Sequence, residues 1–390
     1  MDTSKQNPIV FLTVAVHYGG SKEVTVNLAR YIQKTNKVAV VDAHGNCKEY
    51  MSALSAANIK THIAIPNTNK GIIGGRSFVD RSFKICTVIP EFVALIIRLR
   101  KLFKQISPKV VVITSEKALF LAKCSLGHNI PIVYYSMGSF SRHPWYTEKF
   151  WSSIDLVIGL SKSCLEWLET SKNPPCKTVV VYNGVDIDEV INDSKKRVKD
   201  LPGMDKPLKL LFPASIIASK GQDVAIKAVA KFRESGNDVQ LWLSSSRPRG
   251  AEKQYPSLIL DMISEFGLWD CVSFIGWREN IFPVMAASDI VVLTSKAEGM
   301  PCCLMQAMVL NKPIIATKVG GIPEFVHDGV DGFLVDYGDV EGVLIAMQRL
   351  TNANLRKQMG ASGQKRIKEH FSLQRQTADF LRQVNLVVDK

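Results

Sequence analysis

DIVVLTSKAEGMPCCLMQAMVLNKPIIAT, residues 289–317, decides the fold class because it contains a strand, a helix and a second strand in succession. Its first and last runs are apolar without alternation, which is typical of strands buried on both faces of a parallel sheet. Between them we predict a helix over 301–310. Pro301 suits the first helical position, and Asn311 suits the left-handed position that follows a helix. The stretch therefore predicts an α/β fold.

Similar runs rich in Val and Ile recur along the chain, separated by segments with helical spacing. In the first half they are PIVFLTVAV (8–16), KVAVV (37–41), KVVVIT (109–114), PIVYY (131–135), DLVIG (155–159) and TVVVY (178–182). In the second half they are LKLLFPA (208–214), VQLWLS (239–244), CVSFIG (271–276) and the two runs above. Each half is predicted to form a doubly wound parallel sheet with helices on both faces.

A length of 390 residues favours two domains, and two domains imply a cleft between them. The charged stretch 191–207, interrupted by Pro and Gly, reads as a linker. We therefore assign residues 1–190 to the first domain and 191–370 to the second. Residues 371–390 are assigned to a C-terminal helix that packs back on the first domain.

Composition limits the class of protein and its compartment. Hydrophobic residues make up 46% of the chain and charged residues 22%, which is typical of a soluble globular protein. Eight cysteines without a Cys-x-x-Cys pair suit a reducing compartment. The apolar run near the N-terminus is too short for a spanning helix. We expect a cytoplasmic location.

Basic residues are concentrated in one region of the first half. The net charge is +13, and residues 60–123 hold 12 Lys and Arg against 3 Asp and Glu. This excess suits an acceptor that carries phosphates, or peripheral contact with an anionic membrane surface. A helix packed on the sheet, with its basic residues simply solvated, fits the same pattern. We do not expect nucleic-acid binding, because no aromatic-studded basic strand or recognition helix accompanies the charge.

The start of the 301–310 helix is the predicted ligand site. It opens at the carboxyl end of a parallel strand, where open α/β sheets bind ligands, and its free N–H groups form an anion site. Glu298 precedes that site and can accept hydrogen bonds from hydroxyl groups, and Gln306 is a buried amide that needs partners. A ligand with a diphosphate and hydroxyl-rich ends would use all three features. Glu298 as a solvated turn residue and Gln306 bonded to nearby backbone fit the spacing equally well.

The motifs around this site resemble a known family. They are HYGGSKEVTVNLAR near the start, YNGVDIDEV (182–190), FPASIIASKGQDVAIKA (212–228), GWRENIFPVMAASDIVVLTS (276–295) and the block from Glu298 to Val335. Together they resemble the retaining glycosyltransferases of family 4, the group 1 transferases. The resemblance implies the GT-B fold, in which two Rossmann-like domains face each other across a cleft.

The resemblance also implies roles for single residues. Gly19 and Gly20 lie in a loop that approaches the donor phosphates and the acceptor. Lys220 points at the donor diphosphate, and Glu298 holds the hydroxyl groups of the transferred sugar. The backbone of four further residues would bind sugar and phosphate: Gly299, Met300, Pro301 and Cys302.

The chain departs from the family pattern at three positions. Gln306 stands where a second Glu usually binds the ribose, Ser215 where an arginine usually pairs with the lysine, and Met137 near the position expected for a histidine. Candidates to replace the arginine are Arg247, Arg249 and Arg278. Candidates to replace the histidine are His17 and His143.

The function implied is retaining transfer of a hexose from a nucleotide-diphosphate-sugar to a hydroxyl of a glycan, lipid-linked or other acceptor. No bound metal or other cofactor is required for this reaction. The departures keep two alternatives open, namely a degenerate non-catalytic homologue and a sugar-nucleotide epimerase or hydrolase of the same fold.

Overall fold

The computed structural model describes residues 7–66, 78–127, 129–138, 151–170, 177–198, 201–245 and 254–389. The chain divides into two units. One unit comprises Met1–Tyr182 together with Gln376–Lys390, and the other comprises Asn183–Arg375.

The described part of the first unit contains a seven-stranded sheet. Its strands are β1 (Ile9–Thr13), β2 (Val38–Asp42), β3 (Lys60–Ile63), β4 (Val110–Ile113), β5 (Ile132–Ser136), β6 (Leu156–Gly159) and β7 (Thr178–Val180). They pair in parallel in the order β3-β2-β1-β4-β5-β6-β7. The connecting helices are α1 (Gly20–Ile32), α2 (Lys48–Ala56), α3 (Phe78–Ile106) and α4 (Glu116–Ser125), with a 3-10 helix over Ser163–Thr170.

The described part of the second unit contains a six-stranded sheet. Its strands are β8 (Lys209–Phe212), β9 (Gln240–Leu243), β10 (Val272–Phe274), β11 (Ile290–Leu293), β12 (Ile314–Thr317) and β13 (Gly332–Val335). They pair in parallel in the order β10-β9-β8-β11-β12-β13. Its helices are α5 (Ile187–Ser194), α6 (Gln222–Glu234), α7 (Gln254–Glu265), α8 (Phe282–Ala287), α9 (Cys302–Val309), α10 (Ile322–Phe325), α11 (Val340–Arg349) and α12 (Ala353–His370).

The last helix, α13 (Leu373–Val388), belongs from Gln376 onward to the first unit. Gln376 Nε2 donates a 2.7 Å hydrogen bond to the Tyr135 hydroxyl on β5. The ring of Phe380 stacks on Phe11 of β1 with centroids 6.2 Å apart. These contacts cover the sheet of the first unit with the end of the chain.

The fold class predicted from sequence, α/β with two doubly wound parallel sheets, is confirmed. The apolar runs form the central strands, whose residues in β1, β4 and β11 are all buried. Among the described elements, the sequence reading missed the edge strands β3 and β13. The sequence of β3, KTHI, contains no apolar run, and its residues are half-buried or exposed. The pattern of a buried strand is therefore absent.

Local predictions are confirmed in part. Asn311 has the expected positive φ, 56°. Pro301 is not the first helical residue, because its ψ of 114° is extended and α9 begins at Cys302. Residues 191–194 of the predicted linker lie inside α5, whose first turn is capped by Asp186 Oδ1 accepting from Glu189 N at 3.1 Å. In the described ranges no helix is long and apolar enough to cross a membrane.

Candidate functional site

The predicted site at Glu298 lies where the strand order of the second unit reverses. β8 and β11 are neighbours at the centre of the sheet, and the remaining strands continue outward from each of them. The connections therefore leave these two strands toward opposite sides, and ligands of open α/β sheets bind outside the carboxyl ends at such a point. Lys220 follows β8, and Glu298 follows β11.

Lys220 and Glu298 form an ion pair at this point. Lys220 Nζ lies 2.6 Å from Glu298 Oε1, and the side chains are 27% and 10% exposed, respectively. Ser295 Oγ donates a second hydrogen bond to Glu298 Oε1, also at 2.6 Å. The carboxylate is therefore fixed between a cation and a hydroxyl donor. The alternative that Glu298 is a solvated turn residue does not hold, because its side chain is only 10% exposed.

The loop that carries Lys220 is anchored to the end of β11. Lys220 ends a short 3-10 helix, Ala218–Lys220, and the next residue, Gly221, has a positive φ of 73°. A Cβ at Gly221 would collide with the carbonyl oxygen of Thr294, whose own Oγ1 donates to Gly221 O at 2.6 Å. Only glycine permits this conformation and this approach. The result is that the two loops bearing the ion pair are held side by side.

The loop that carries Glu298 is anchored on its other side to the segment after β12. Thr317 Oγ1 donates to Ser295 O at 2.6 Å, and Gly321 N donates to Gly299 O at 2.8 Å. Gly320 has a φ of 55°, and a Cβ there would overlap the carbonyl oxygen of Glu298. The Val-Gly-Gly sequence thus lets this backbone lie directly against the Glu298 loop.

Helix α9 begins immediately after this loop. Pro301 is its N-cap residue, and the proline side chain makes no capping hydrogen bond. The helix N-terminus carries a positive partial charge and directs N–H groups outward, so that it can bind a phosphate. Gln306 lies farther along the helix and is 8% exposed. Cys302 and Cys303 are half-buried and not in a disulfide.

Two family models match the chain. Glycosyltransferase Family 4 matches residues 18–189, and Glycosyl transferases group 1 matches residues 207–353. The matches follow one another and together cover most of the chain. The chain belongs to the family 4 glycosyltransferases.

Curated relatives of this family 4 chain match over shorter stretches. N-acetyl-alpha-D-glucosaminyl L-malate synthase of Bacillus anthracis is 29% identical over 220 residues, which are 56% of this chain and 56% of that protein. D-inositol 3-phosphate glycosyltransferase of Mycobacterium sp. (strain KMS) is 30% identical over 188 residues, which are 47% of this chain and 42% of that protein. The chain thus spans about half the length of the curated relatives it matches.

Solved structures match over nearly the whole length. Anabaena Alr3699/HepE in complex with UDP has a TM-score of 0.80 at 21% identity, covering 97% of this chain and 99% of that one. The same protein in complex with UDP-glucose has a TM-score of 0.79 at 22% identity, with 96% and 99% covered. At these identities the likeness shows a shared fold.

The structure of this family 4 chain brings together some predicted residues and separates others. Lys220 and Glu298 are in contact, and Gly299, Met300, Pro301 and Cys302 form the turn into α9. Ser215 follows β8 as well, but its backbone oxygen is occupied by Ile217 N at 3.0 Å and Gln222 Nε2 at 2.8 Å.

The arginine candidates have different outcomes. Arg278 follows β10, two strands from β8, and its buried Nε has no hydrogen-bond partner among the described residues. Arg247 and Arg249 lie outside the described residues, as does His143. The structure describes no contact between Arg278 and Lys220. Among the described residues, Arg278 therefore does not take the place of the arginine expected at position 215.

The remaining predicted residues lie in the first unit. His17 is exposed after β1, and Gly19 is the N-cap of α1, which begins at Gly20. Met137 follows β5 and is half-buried. These residues stand at the carboxyl ends of their strands, and Gly19 and Gly20 lie where the strand order of the first unit reverses.

Sequence reasoning missed two polar side chains near these loops. Lys22, in the first turn of α1, lies 5.5 Å above the Tyr50 ring, and burial lowers its pKa although the nearby Asp42 acts in the opposite direction. Asn183 contacts the turn before α9, where its Nδ2 donates to Met300 O at 3.4 Å. The signal for Lys22 was available, since it directly follows the Gly-Gly-Ser loop.

Across the described ranges, no three or more His, Cys, Asp and Glu side chains are grouped so that they could hold a metal ion.

Proposed function

We propose that this protein is a retaining glycosyltransferase that moves a sugar from a nucleotide-diphosphate-sugar to a hydroxyl group of an acceptor. The observation that carries the proposal is the Lys220–Glu298 pair, 2.6 Å apart, at the carboxyl ends of β8 and β11. A cation and a carboxylate at one point suit a donor whose diphosphate is anionic and whose sugar offers hydroxyl groups. The start of α9 adds an anion site beside them.

Each group has a definite task in this proposal. Lys220 stabilises the charge that develops on the departing nucleoside diphosphate, together with the N–H groups at the start of α9. Glu298 accepts hydrogen bonds from the sugar hydroxyls and orients the sugar. The bond between the anomeric carbon and the diphosphate oxygen breaks. The acceptor hydroxyl passes its proton to the departing diphosphate oxygen and forms the new glycosidic bond on the face from which the nucleotide leaves, so the configuration is retained.

The first donors to test are uridine diphosphate sugars, because the solved Anabaena structures contain UDP and UDP-glucose. Gln306 also bears on the donor. An amide oxygen accepts weaker hydrogen bonds than a carboxylate, so the ribose would be held less tightly than by a glutamate. We infer a donor affinity lower than that of a variant with Glu at this position.

A glycan or lipid-linked acceptor is proposed for the first unit, where α3 presents a basic surface. Val93 and Ile97 are 48% and 59% exposed on this helix. Arg98, Lys101 and Lys104 are exposed along the same segment. An exposed apolar pair followed along the helix by cations suits an anionic membrane surface that carries the acceptor.

The second candidate is a non-catalytic homologue that binds a nucleotide sugar without transferring it. Ser215 and Gln306 favour this candidate, because one removes a cation and the other a carboxylate from the expected set. A sugar-nucleotide epimerase or hydrolase on the same site is a third outcome to be tested.

A donor screen separates these functions. Thermal unfolding is measured with UDP, GDP and ADP and with their glucose, N-acetylglucosamine and mannose conjugates where these exist, since a ligand of the native state raises the melting temperature. The stabilising conjugate is then incubated with the protein and its products are identified. Slow release of free sugar that gives way to a glycoside of retained configuration when an acceptor is added supports a transferase, release of free sugar unchanged by acceptors supports a hydrolase, an altered conjugate supports an epimerase, and binding without product supports the non-catalytic homologue. Absence of binding to every nucleotide contradicts the proposal, and salt-dependent retention on DNA would then favour a nucleic-acid-binding protein.

A further inference from the structure

Asn183, the first residue of the second unit, is bonded to the turn that precedes α9. Its Nδ2 lies 3.0 Å from Cys302 Sγ and 3.4 Å from Met300 O. Its backbone N lies 3.3 Å from Met300 Sδ. The residue is 1% exposed, and more than a hundred residues separate it in sequence from the turn. One side chain therefore fixes both ends of the Met300–Cys302 turn.

The carboxamide of Asn183 is used on one side alone. Within the described structure its Oδ1 is buried and has no hydrogen-bond partner. An unpaired amide oxygen in the interior destabilises a fold, and an apolar residue of similar size would avoid this cost. Packing alone thus does not explain why position 183 carries an amide side chain. The N–H groups of Nδ2, which reach the turn, do account for it.

The turn is the element that presents the backbone of Gly299 to Cys302 at the start of α9. At its first residue the turn is also held by Gly321 N, which donates to Gly299 O at 2.8 Å. Met300 itself is 5% exposed and holds no charge. Without Asn183, this segment would lose the hydrogen bond to Met300 O, which orients that peptide group, and the contact with Cys302 Sγ.

We propose that Asn183 is a positioning residue of the donor site, which holds the Met300–Cys302 turn so that the N–H groups at the start of α9 face the donor diphosphate. This inference rests on the proposed function, because it assigns the diphosphate to that helix start. Asn183 itself contacts no reacting group. It acts through the turn, and its effect falls on donor binding more than on the chemical step.

A second consequence concerns Cys302. A hydrogen bond donated to a sulfur stabilises the thiolate, which is the reactive form of a thiol. Removing the Asn183 donor should therefore make the Cys302 thiol less reactive. A residue with a merely structural role elsewhere would leave this reactivity unchanged.

The test uses the full chain with Asn183→Asp, which keeps the shape but removes both N–H groups, and Asn183→Ala, which adds no charge. The matched control is Asn237→Asp, since Asn237 Nδ2 likewise donates to two acceptors, both backbone oxygens and each at 3.4 Å. Dissociation constants for UDP are measured by calorimetry. KM and kcat are measured by steady-state kinetics with UDP-glucose as the donor. Thiol reactivity is followed with a chromogenic aromatic disulfide from pH 6 to 9. The contribution of Cys302 is the part lost in Cys302→Ser.

We expect both Asn183 variants to weaken UDP binding and to raise KM by roughly tenfold, with kcat changed less, and to slow the Cys302 reaction near pH 7 by about tenfold. The Asn237 variant should match the wild type in all these measurements. If the wild type binds UDP and both folded Asn183 variants bind it equally well, the positioning role is overturned while the proposed function stands. If the wild type binds no nucleotide, both are overturned. Unaltered Cys302 reactivity in both variants would show that the amide does not reach the sulfur.

Discussion

Lys220 Nζ and Glu298 Oε1 lie 2.6 Å apart although 78 residues separate them in the chain. The strand order β9-β8-β11-β12 creates this neighbourhood, because the loops after β8 and β11 leave the sheet at the same edge. Each of the two charges is paired with the other. In the proposed function, the diphosphate of the donor attracts the ammonium group and its sugar hydroxyls bind the carboxylate, so that neither buried charge is left unpaired.

Replacing Lys220 by Met should cut transfer strongly, because the variant keeps the aliphatic stem and loses the cation that we propose stabilises the leaving diphosphate. Loss of one such electrostatic contact typically raises the barrier by about 3–4 kcal/mol, a rate loss of ~10²–10³. The measurement is kcat with the donor identified in the screen. Lys231→Met is the control, since Lys231 is exposed and pairs with Glu341 on the outside of the unit. Equal turnover in both variants would exclude Lys220 from the chemistry.

Glu298→Gln should separate sugar recognition from nucleotide recognition. The amide keeps the shape but accepts weaker hydrogen bonds from the sugar hydroxyls. We expect kcat/KM to fall at least about tenfold, while the dissociation constant of the nucleoside diphosphate stays within about threefold. Calorimetry with the nucleotide and steady-state kinetics with the sugar conjugate give the two numbers. A parallel loss in both would mean that Glu298 chiefly holds Lys220 in place.

The sequence predicted the central strands and singled out the turn before α9 as a candidate site because both depend on local patterns. Buried parallel strands show as apolar runs, and the Glu-Gly-Met-Pro turn before a helix is readable without the rest of the fold. Asn183 was not predicted, because its contacts with Met300 and Cys302 join distant segments of the chain. The same holds for Gly320, whose need for glycine comes from the Glu298 carbonyl oxygen that approaches it.

The edge strands show a different reason for a missed prediction. Gly332 begins β13, and a Cβ there would lie 2.6 Å from the Ile314 side chain. Glycine is disfavoured in strands, so its presence at position 332 argues against a strand there. The close contact with Ile314 nevertheless requires glycine at this position. The segment forms a strand because it pairs with β12, and its own sequence gives no sign of that pairing.

Gly320→Ala should destabilise the second unit and distort the site. A non-glycine residue at positive φ costs about 1–2 kcal/mol, and overlap with Glu298 O adds about 1–3 kcal/mol. Gly236→Ala is the matched control, because Gly236 has a φ of 79° and no atom within 4 Å of its Cβ position. Urea unfolding should show a clearly larger loss for Gly320→Ala, and donor binding should fall in that variant alone. Equal losses would mean that the Glu298 loop yields without cost.

Gln306→Glu should strengthen binding of the nucleoside diphosphate. A carboxylate accepts two charge-assisted hydrogen bonds from ribose hydroxyls, which are roughly twice as strong as neutral ones. Because position 306 is 8% exposed, burial also raises the pKa of a carboxyl group there. The gain should therefore be present at pH 8 and decline as the pH falls through the raised pKa. Calorimetry at pH 8 and pH 5.5 measures it; weaker binding at pH 8 would show that Gln306 does not face the ribose.

The exposed face of α3 should bind anionic vesicles. Exposed cations near an anionic surface contribute about 1 kcal/mol each, so reversing Lys101 and Lys104 to Glu should weaken binding at least about tenfold. Ile97→Asp should weaken it by removing apolar contact, whereas Ile345→Asp, on α11 and similarly exposed at 50%, should not. Co-sedimentation with phosphatidylglycerol vesicles, compared with phosphatidylcholine vesicles, measures these effects. Added salt should reduce binding, since screening acts over about 8 Å at physiological ionic strength. Equal sedimentation of all variants, or none by the wild type, would leave α3 as a solvated helix on the sheet.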